Sequence, residues 1–383
     1  MASHKYYDLS SDNDDSYDED DGYSSCSSED DGDGFQRLPS KTNHNAKVTV
    51  TSSGQDPLWG RTILHLDIDC FYVQAEEIQR ELRKSDKPIP PMAIGQKHII
   101  VTANYIARSL GVKKLQSKRE ALETCPTLWI IDRSDLRQYR KFSRAVYEAF
   151  RRTIYELYRR VFRDTSTSME AILKRVACVR GTMDEMMTDL STVVNKISNE
   201  PDGGEAVLSK LIPSQRIEEQ HKLHVFGEDS QTPVELVEDQ TGARTTVSFH
   251  SSNSYGTQNL ARSRRNIHES HNGNKMECRK RLEIADQLGR YICFHVQKQT
   301  QFHTTVGISV SPLLAKIASG LTKPKAINVL LPWRTSELLY CMPLRKMPNV
   351  GHRTMKALEG ALREEMAYGE RGVQETNTPF PVL

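Results

Sequence analysis

Thr62-Ile63-Leu64-His65-Leu66-Asp67-Ile68-Asp69-Cys70-Phe71-Tyr72 is the stretch on which the fold of this chain turns. Leu64, Leu66 and Ile68 alternate with His65, Asp67 and Asp69, the period-2 pattern of a strand with one apolar face and one face carrying two carboxylates. Two acids closing a hydrophobic strand repel each other unless a cation or solvent lies between them. With Phe71-Tyr72 directly behind them, they are compatible with a divalent-metal site beside a flat or sugar-like ligand. They are also compatible with an edge strand whose acids are solvated.

The 383 residues allow two or three domains and a large core, but 7% aromatic and 37% apolar content is low for a fully globular chain of that size. Substantial disorder is expected. The net charge of +2 hides an asymmetry: residues 1–34 carry −11 and the remainder +13, which fits a polyanionic partner. The seven cysteines form no CxxC pair, as in a reducing compartment. No apolar run reaches membrane-spanning length, so no membrane association is expected. Residues 1–56 are rich in Ser, Asp and Gly and read as a disordered acidic tail, whose serines beside acids fit phosphorylation sites and equally fit a tail that only solubilises.

From the opening strand outward, residues 75–84 read as a charged helix and Ile89-Pro90-Pro91 as a loop. Residues 98–102 form a short buried strand leading into a helix that starts near Asn104. Thr102, Tyr105 and Arg108 are three residues apart and share a face at that helix start, where a hydroxyl, a phenol and a guanidinium are the donors a phosphate needs. Residues 134–150 are an amphipathic helix with Ser134 as N-cap, and residues 151–175 continue as irregular helix. Residues 176–179 form a second strand, followed by Asp184-Glu185 at a strand or hairpin tip.

Residues 226–275 lose aliphatic density and read as a disordered insertion, in which His268 and His271 are solvated. Arg264-Arg265 and Arg279-Lys280-Arg281 resemble a bipartite nuclear import signal. Residues 281–297 are helical, and residues 304–309 form a small-residue strand. Ser311 caps a helix with Pro312 at its first position. Lys316 and Lys323 can both face a phosphate-bearing ligand, and residues 327–332 form a further strand. Pro348-Asn349-Val350-Gly351, followed by His352 and Arg353, looks like half of a helix-hairpin-helix, whose backbone N–H groups would bind a DNA phosphate.

Taken in order, these pieces resemble the Y-family DNA polymerases, the enzymes of translesion synthesis. Residues 67–72 are similar to the family's D-x-D-C-F-Y block, residues 102–108 to T-x-N-Y-x-A-R and residues 183–190 to D-E-x-x-x-D-L. Residues 306–309, Leu314-Ala315-Lys316 and Lys323-Pro324 are similar to V-G-I-S…L-A-K…K-P, and residues 344–351 to the thumb hairpin. The resemblance covers roughly residues 61–358.

It implies an α+β right hand: a palm with a ferredoxin-like mixed or antiparallel sheet (57–70 and 136–333, with the 226–275 insertion), small α/β fingers (71–135) and a partial helical thumb (334–383). The family's little finger is expected to be missing. The resemblance also implies two Mg²⁺ or Mn²⁺ ions held by Asp67, Asp184, Glu185 and the Ile68 carbonyl. Tyr72 would exclude a 2′-hydroxyl, Gln96 would lie near the nascent base pair, and Thr102, Tyr105, Arg108 and Lys323 would hold the triphosphate of a dNTP. Primer-template DNA would meet Lys316, Val350, Gly351, His352 and Arg353, in a nuclear protein. Asp69 is implied to be a supporting residue rather than a ligand.

The sequence departs from the family pattern at Ile106, Met186-Met187, Ser311-Pro312, Lys325 and Asn349, none of them a metal ligand. Asn349 stands where the thumb turn has glycine, and Asn can take the left-handed conformation. Two other classes stay open: a truncated, weakly active or inactive chain that binds DNA or partners, and a nucleotidyl cyclase, which needs no DNA-binding turn.

Overall fold

The structure, a computed structural model, describes residues 59–84, 86–212, 221–226, 234–237, 244–247 and 264–373. The acidic tail and most of the 226–275 insertion lie outside them. In chain order the elements are β1 (Ile63–Ile68), α1 (Phe71–Gln79), β2 (Met92–Gln96), β3 (Ile99–Ala103), α2 (Tyr105–Ser109), α3 (Lys118–Thr124) and β4 (Trp129–Asp132). Then come α4 (Arg140–Phe162), α5 (Met169–Arg175), β5 (Val179–Arg180), β6 (Glu185–Asp189), α6 (Ser191–Ser198) and α7 (Glu205–Leu211). After β7 (Lys222–Phe226), β8 (Val234–Val237) and β9 (Arg244–Val247) follow α8 (Arg264–Thr300), β10 (Thr304–Ser309), α9 (Pro312–Leu321) and β11 (Ala326–Leu330). The last two are α10 (Thr335–Cys341) and α11 (His352–Val373).

The larger sheet has the order β5-β6-β1-β10-β11-β7. β1 lies antiparallel between β6 and β10, while β10-β11 and β11-β7 are parallel, so the sheet is mixed. The acidic strand is therefore central, and the edge-strand reading fails. Leu64, Leu66 and Ile68 project into a core shared with Phe150, Ile154 and Leu157 of α4 and Leu288, Ile292 and Val296 of α8. Each such side chain contributes roughly 1.5–3 kcal/mol on burial. The other face of β1 is covered too, because Ile63 packs with Met187 and with Ala315 of α9.

Gly307 explains how α9 sits so low on that face. A Cβ at Gly307 would lie 2.0 Å from the Ala315 carbonyl oxygen and 2.2 Å from the Ser319 nitrogen. Only glycine lets the helix backbone descend onto β10 there. The helix begins as its sequence indicates: Ser311 accepts from the Leu314 N–H, with Pro312 at the first position.

A smaller sheet, β3-β2-β4, has β2 at its centre, antiparallel to β3 and parallel to β4. Its own core gathers Ala93, Ile100, Ala107, Val112, Ala121 and Leu128.

Several local expectations are corrected. The helix expected over 75–84 starts at Phe71, ends at Gln79, and carries two buried acids, Glu76 and Glu77. Ser134 caps nothing: residues 137–139 form a 3₁₀ turn, and the long helix starts at Arg140 and continues to Phe162. Within the expected disordered insertion, β8 and β9 pair antiparallel and α8 begins at Arg264, so His268 and His271 lie on a helix. The second basic cluster is not a free patch. Arg281 is 7% exposed, and its guanidinium donates to the Asn195 side chain and the Gly60 carbonyl.

Ser336–Leu383 forms a separate unit. Within it, the Val350 N–H closes a turn on the Met347 carbonyl at 3.1 Å, and Asn349 takes φ 69°, the left-handed conformation expected of it. α11 follows and runs to Val373. Gly351 and Arg353 are exposed at its start and Val350 is partly exposed. Among the described residues no helix is long and apolar enough to cross a membrane.

Candidate active site

β1 and β6 bring the acids together. Asp67 and Glu185 are partners in the antiparallel register, and the Ile68 N–H donates to the Asp184 carbonyl at 2.9 Å. Asp184 lies just before β6, in the turn after β5, where its carboxylate accepts from the Thr182 hydroxyl at 2.7 Å. The hairpin thus places Asp184 and Glu185 beside Asp67, although more than a hundred residues separate them in sequence.

Each of two acids already faces an ammonium group. Lys323 donates to Asp67, and Lys316 donates to Glu185 at 2.6 Å. Burial raises the Asp67 carboxyl above its usual range, against the pull of Lys323. Burial acts on Glu185 in the same direction, but contacts with His65 and Lys316 outweigh it and hold that carboxyl down at about 2. His65 is buried, with Nε2 3.9 Å from Glu185 and Nδ1 2.9 Å from the Ser319 hydroxyl.

Asp69 behaves differently from Asp67. It accepts from the Thr305 hydroxyl at 2.8 Å and the Lys325 N–H at 2.9 Å, is 1% exposed, and burial pushes it to about 6. These bonds tie the end of β1 to β10 and to the segment before β11. The Tyr105 hydroxyl approaches the same carboxylate at 3.5 Å, linking α2 and the smaller sheet to the acidic strand.

Tyr72 follows at once, because Cys70, at φ 39°, turns the strand directly into α1. Burial first and the Asp184 charge second raise the Tyr72 hydroxyl above its usual range. Thr102, Tyr105 and Arg108 do meet: the guanidinium lies 4.8 Å from the Tyr105 ring centre and donates to the Thr102 hydroxyl at 3.3 Å. Gln96 is not among the acids; its amide donates to the Ser134 carbonyl at 2.9 Å. Val350, Gly351, His352 and Arg353 belong to the separate unit described above.

Sequence reasoning missed the lysine–acid pairs, His65 and the buried Glu76. Only the alternation of His65 with Asp67 hinted at the second. Among the described residues no three His, Cys, Asp or Glu side chains are gathered closely enough to hold a metal ion. The donor chemistry nevertheless fits a hard divalent cation, since the acids offer only oxygen and ammonium groups stand against two of them.

The impB/mucB/samB family matches residues 66–161 and 154–320, and the chain belongs to that family, among the Y-family DNA polymerases. Within it the chain is similar to DNA polymerase iota. It is 28% identical to the Mus musculus protein over 300 residues (78% of this chain, 31% of the relative) and 28% identical to the Homo sapiens protein over 324 residues (84% and 33%). A shorter match, 41% identical over 95 residues, links it to DNA polymerase iota of Drosophila melanogaster (25% and 12%). The chain spans about a third of the length of the mouse and human relatives.

Proposed function

We propose that this chain is the catalytic part of a DNA-directed DNA polymerase of the translesion type, adding dNTPs to a primer opposite damaged template bases. The observation that carries the reading is the register pairing of Asp67 with Glu185, with Asp184 bonded through its carbonyl to the Ile68 N–H and Tyr72 opening the helix that follows β1. In this reading the larger sheet with α4, α8 and α9 is the palm, residues 71–135 are the fingers, and Ser336–Leu383 belongs to the thumb.

Asp67, Asp184, Glu185 and the Ile68 carbonyl would hold two Mg²⁺ or Mn²⁺ ions. When bound, the ions supply activation of the primer 3′-hydroxyl and neutralisation of the leaving pyrophosphate. The chain's own residues then do the positioning. Thr102, Tyr105 and Arg108 hold phosphate oxygens of the incoming nucleotide. Lys323 shifts from Asp67 toward the same phosphates, and Lys316 contacts DNA. Tyr72 packs against the deoxyribose and leaves no room for a 2′-hydroxyl, while Gln96 borders the nascent base pair. The thumb turn of Val350, Gly351, His352 and Arg353 grips a primer-template phosphate.

The family relationship to iota polymerases supports a place in the nucleus. The proposed engagement of replication or repair proteins by residues 1–56 lies outside the described residues.

The test is extension of a labelled primer on templates of differing sequence, in Mg²⁺ and in Mn²⁺. The proposal expects metal-dependent addition of the nucleotide that each template specifies. Addition that ignores the template, or none in either metal, would reject it.

A further inference from the structure

Resting on the reading of Tyr72 as the sugar-excluding residue, we infer that Tyr139, anchored through its hydroxyl to the buried Glu76, is the positioning residue that sets how tightly Tyr72 closes on the sugar. The ring of Tyr139 lies 4.9 Å from that of Tyr72, tilted by 41°, and no part of Tyr139 is exposed to solvent. Its hydroxyl donates to Glu76 at 2.6 Å. Glu76 stands four residues after Tyr72 on α1, on the same helix face. The three side chains thus close a loop: α1 presents Tyr72, Tyr139 backs it, and Tyr139 is fixed to the helix that carries Tyr72.

Glu76 is itself immobilised. It is fully buried, accepts from Arg133 at 2.8 Å on the same oxygen that accepts from the Tyr139 hydroxyl, and pairs with Arg80 on the other. Arg133 follows β4, where its N–H bonds to the Gly95 carbonyl at 2.9 Å. The carboxylate therefore joins α1, the smaller sheet and the start of the long helix at one point.

Packing alone does not explain this arrangement. The aromatic cluster of Phe71, Tyr139, Phe142 and Phe302 would accept phenylalanine at 139. A buried hydroxyl bonded to a buried carboxylate adds directional restraint that an apolar ring lacks. Tyr72 rests against that restrained ring, so sliding away from an incoming 2′-hydroxyl requires moving Tyr139 first.

The test compares single-turnover incorporation of a deoxynucleotide and the matching ribonucleotide by the full chain on primer-template. Wild type, Tyr139→Phe, Tyr72→Ala and the double variant are measured. Tyr139→Phe keeps the ring and leaves Glu76 with both arginines, and a melting curve verifies that it folds. The deoxy-to-ribo ratio of kcat/KM is expected to fall about tenfold in Tyr139→Phe, since small misplacements at a reacting centre cost this much or more. The change should appear mainly as faster ribonucleotide use. The double variant should be no less selective than Tyr72→Ala alone, because both act through one ring. If Tyr139→Phe does not fold, Glu76→Gln weakens the same bond from the other side and should lower the ratio by a smaller factor. An unchanged ratio in the folded variant, while Tyr72→Ala collapses it, overturns the inference and leaves the gate standing. An unchanged ratio in Tyr72→Ala instead overturns the gate.

Discussion

Asp67 and Glu185 face each other in antiparallel register on β1 and β6, and each is bonded to a different lysine, Lys323 and Lys316. Each carboxylate is therefore engaged by its own ammonium group. In the proposed reading, the same lysines would turn to phosphates once another cation balanced the acids.

The first prediction follows from that competition. A divalent cation that binds these oxygens in the folded chain stabilises it by about 1.4 kcal/mol at ten times its dissociation constant. For a chain of this size that is a rise of about 2 °C in Tm. Adding Mg²⁺ or Mn²⁺ to the chain without DNA should give this shift, and Asp67→Asn combined with Glu185→Gln should lose it. A wild-type Tm that ignores both metals would count against the assignment of these acids.

Gly307→Ala tests how the lysines reach the acids. The added Cβ meets backbone atoms of Ala315 and Ser319, which cannot rotate away. Separating α9 from β10 should cost about 3 kcal/mol or more, and would carry Lys316 away from Glu185. Denaturant melts measure the loss; a change under 1 kcal/mol, on the order of an ordinary surface substitution, would show that the helix does not sit as described.

The pH dependence has a sign that can be worked out. Burial pushes His303 down to about 3 and His221 down to about 4, so both are neutral when folded and take up protons near 6.5 when unfolded. The unfolded chain then binds more protons below pH 6.5, and the contribution of each to stability is complete above that value and is lost as pH falls toward the folded pKa. The stability advantage of wild type over His303→Gln should shrink by about 3 kcal/mol between pH 7 and 4. Melts of both proteins across that range measure it, and a constant difference would mean that His303 charges in the folded state.

The parts of the chain that were legible in sequence are those with local, repetitive causes. The alternation of Leu64, Leu66 and Ile68 marks β1, and Ser311-Pro312 marks the start of α9. Asn349 fits the turn that its conformational tolerance suggested. What was not legible depends on distant packing. β2 follows Pro90-Pro91 and contains Gly95, both breaking signals, yet it is the central strand of the smaller sheet because β3 and β4 supply its partners. Ser134 looks like a helix cap, but Tyr139 is drawn into the core and residues 137–139 tighten into a 3₁₀ turn. In the site, the carboxylates were visible as motifs. The lysines opposite them and Glu76 behind Tyr72 were not, since no spacing rule connects residues over a hundred positions apart or separates a buried acid from a solvated one on a charged helix.

The most direct measurement is single-turnover nucleotide addition to a primer-template by Asp67→Ala, Asp184→Ala and Glu185→Ala, each checked for folding and for binding of the same DNA. If the three acids form the centre of nucleotidyl transfer, each variant keeps its fold and its DNA affinity and loses rate by about a thousandfold or more, on the order of 4 kcal/mol of transition-state stabilisation. Addition at near wild-type rate by any folded variant would contradict that assignment.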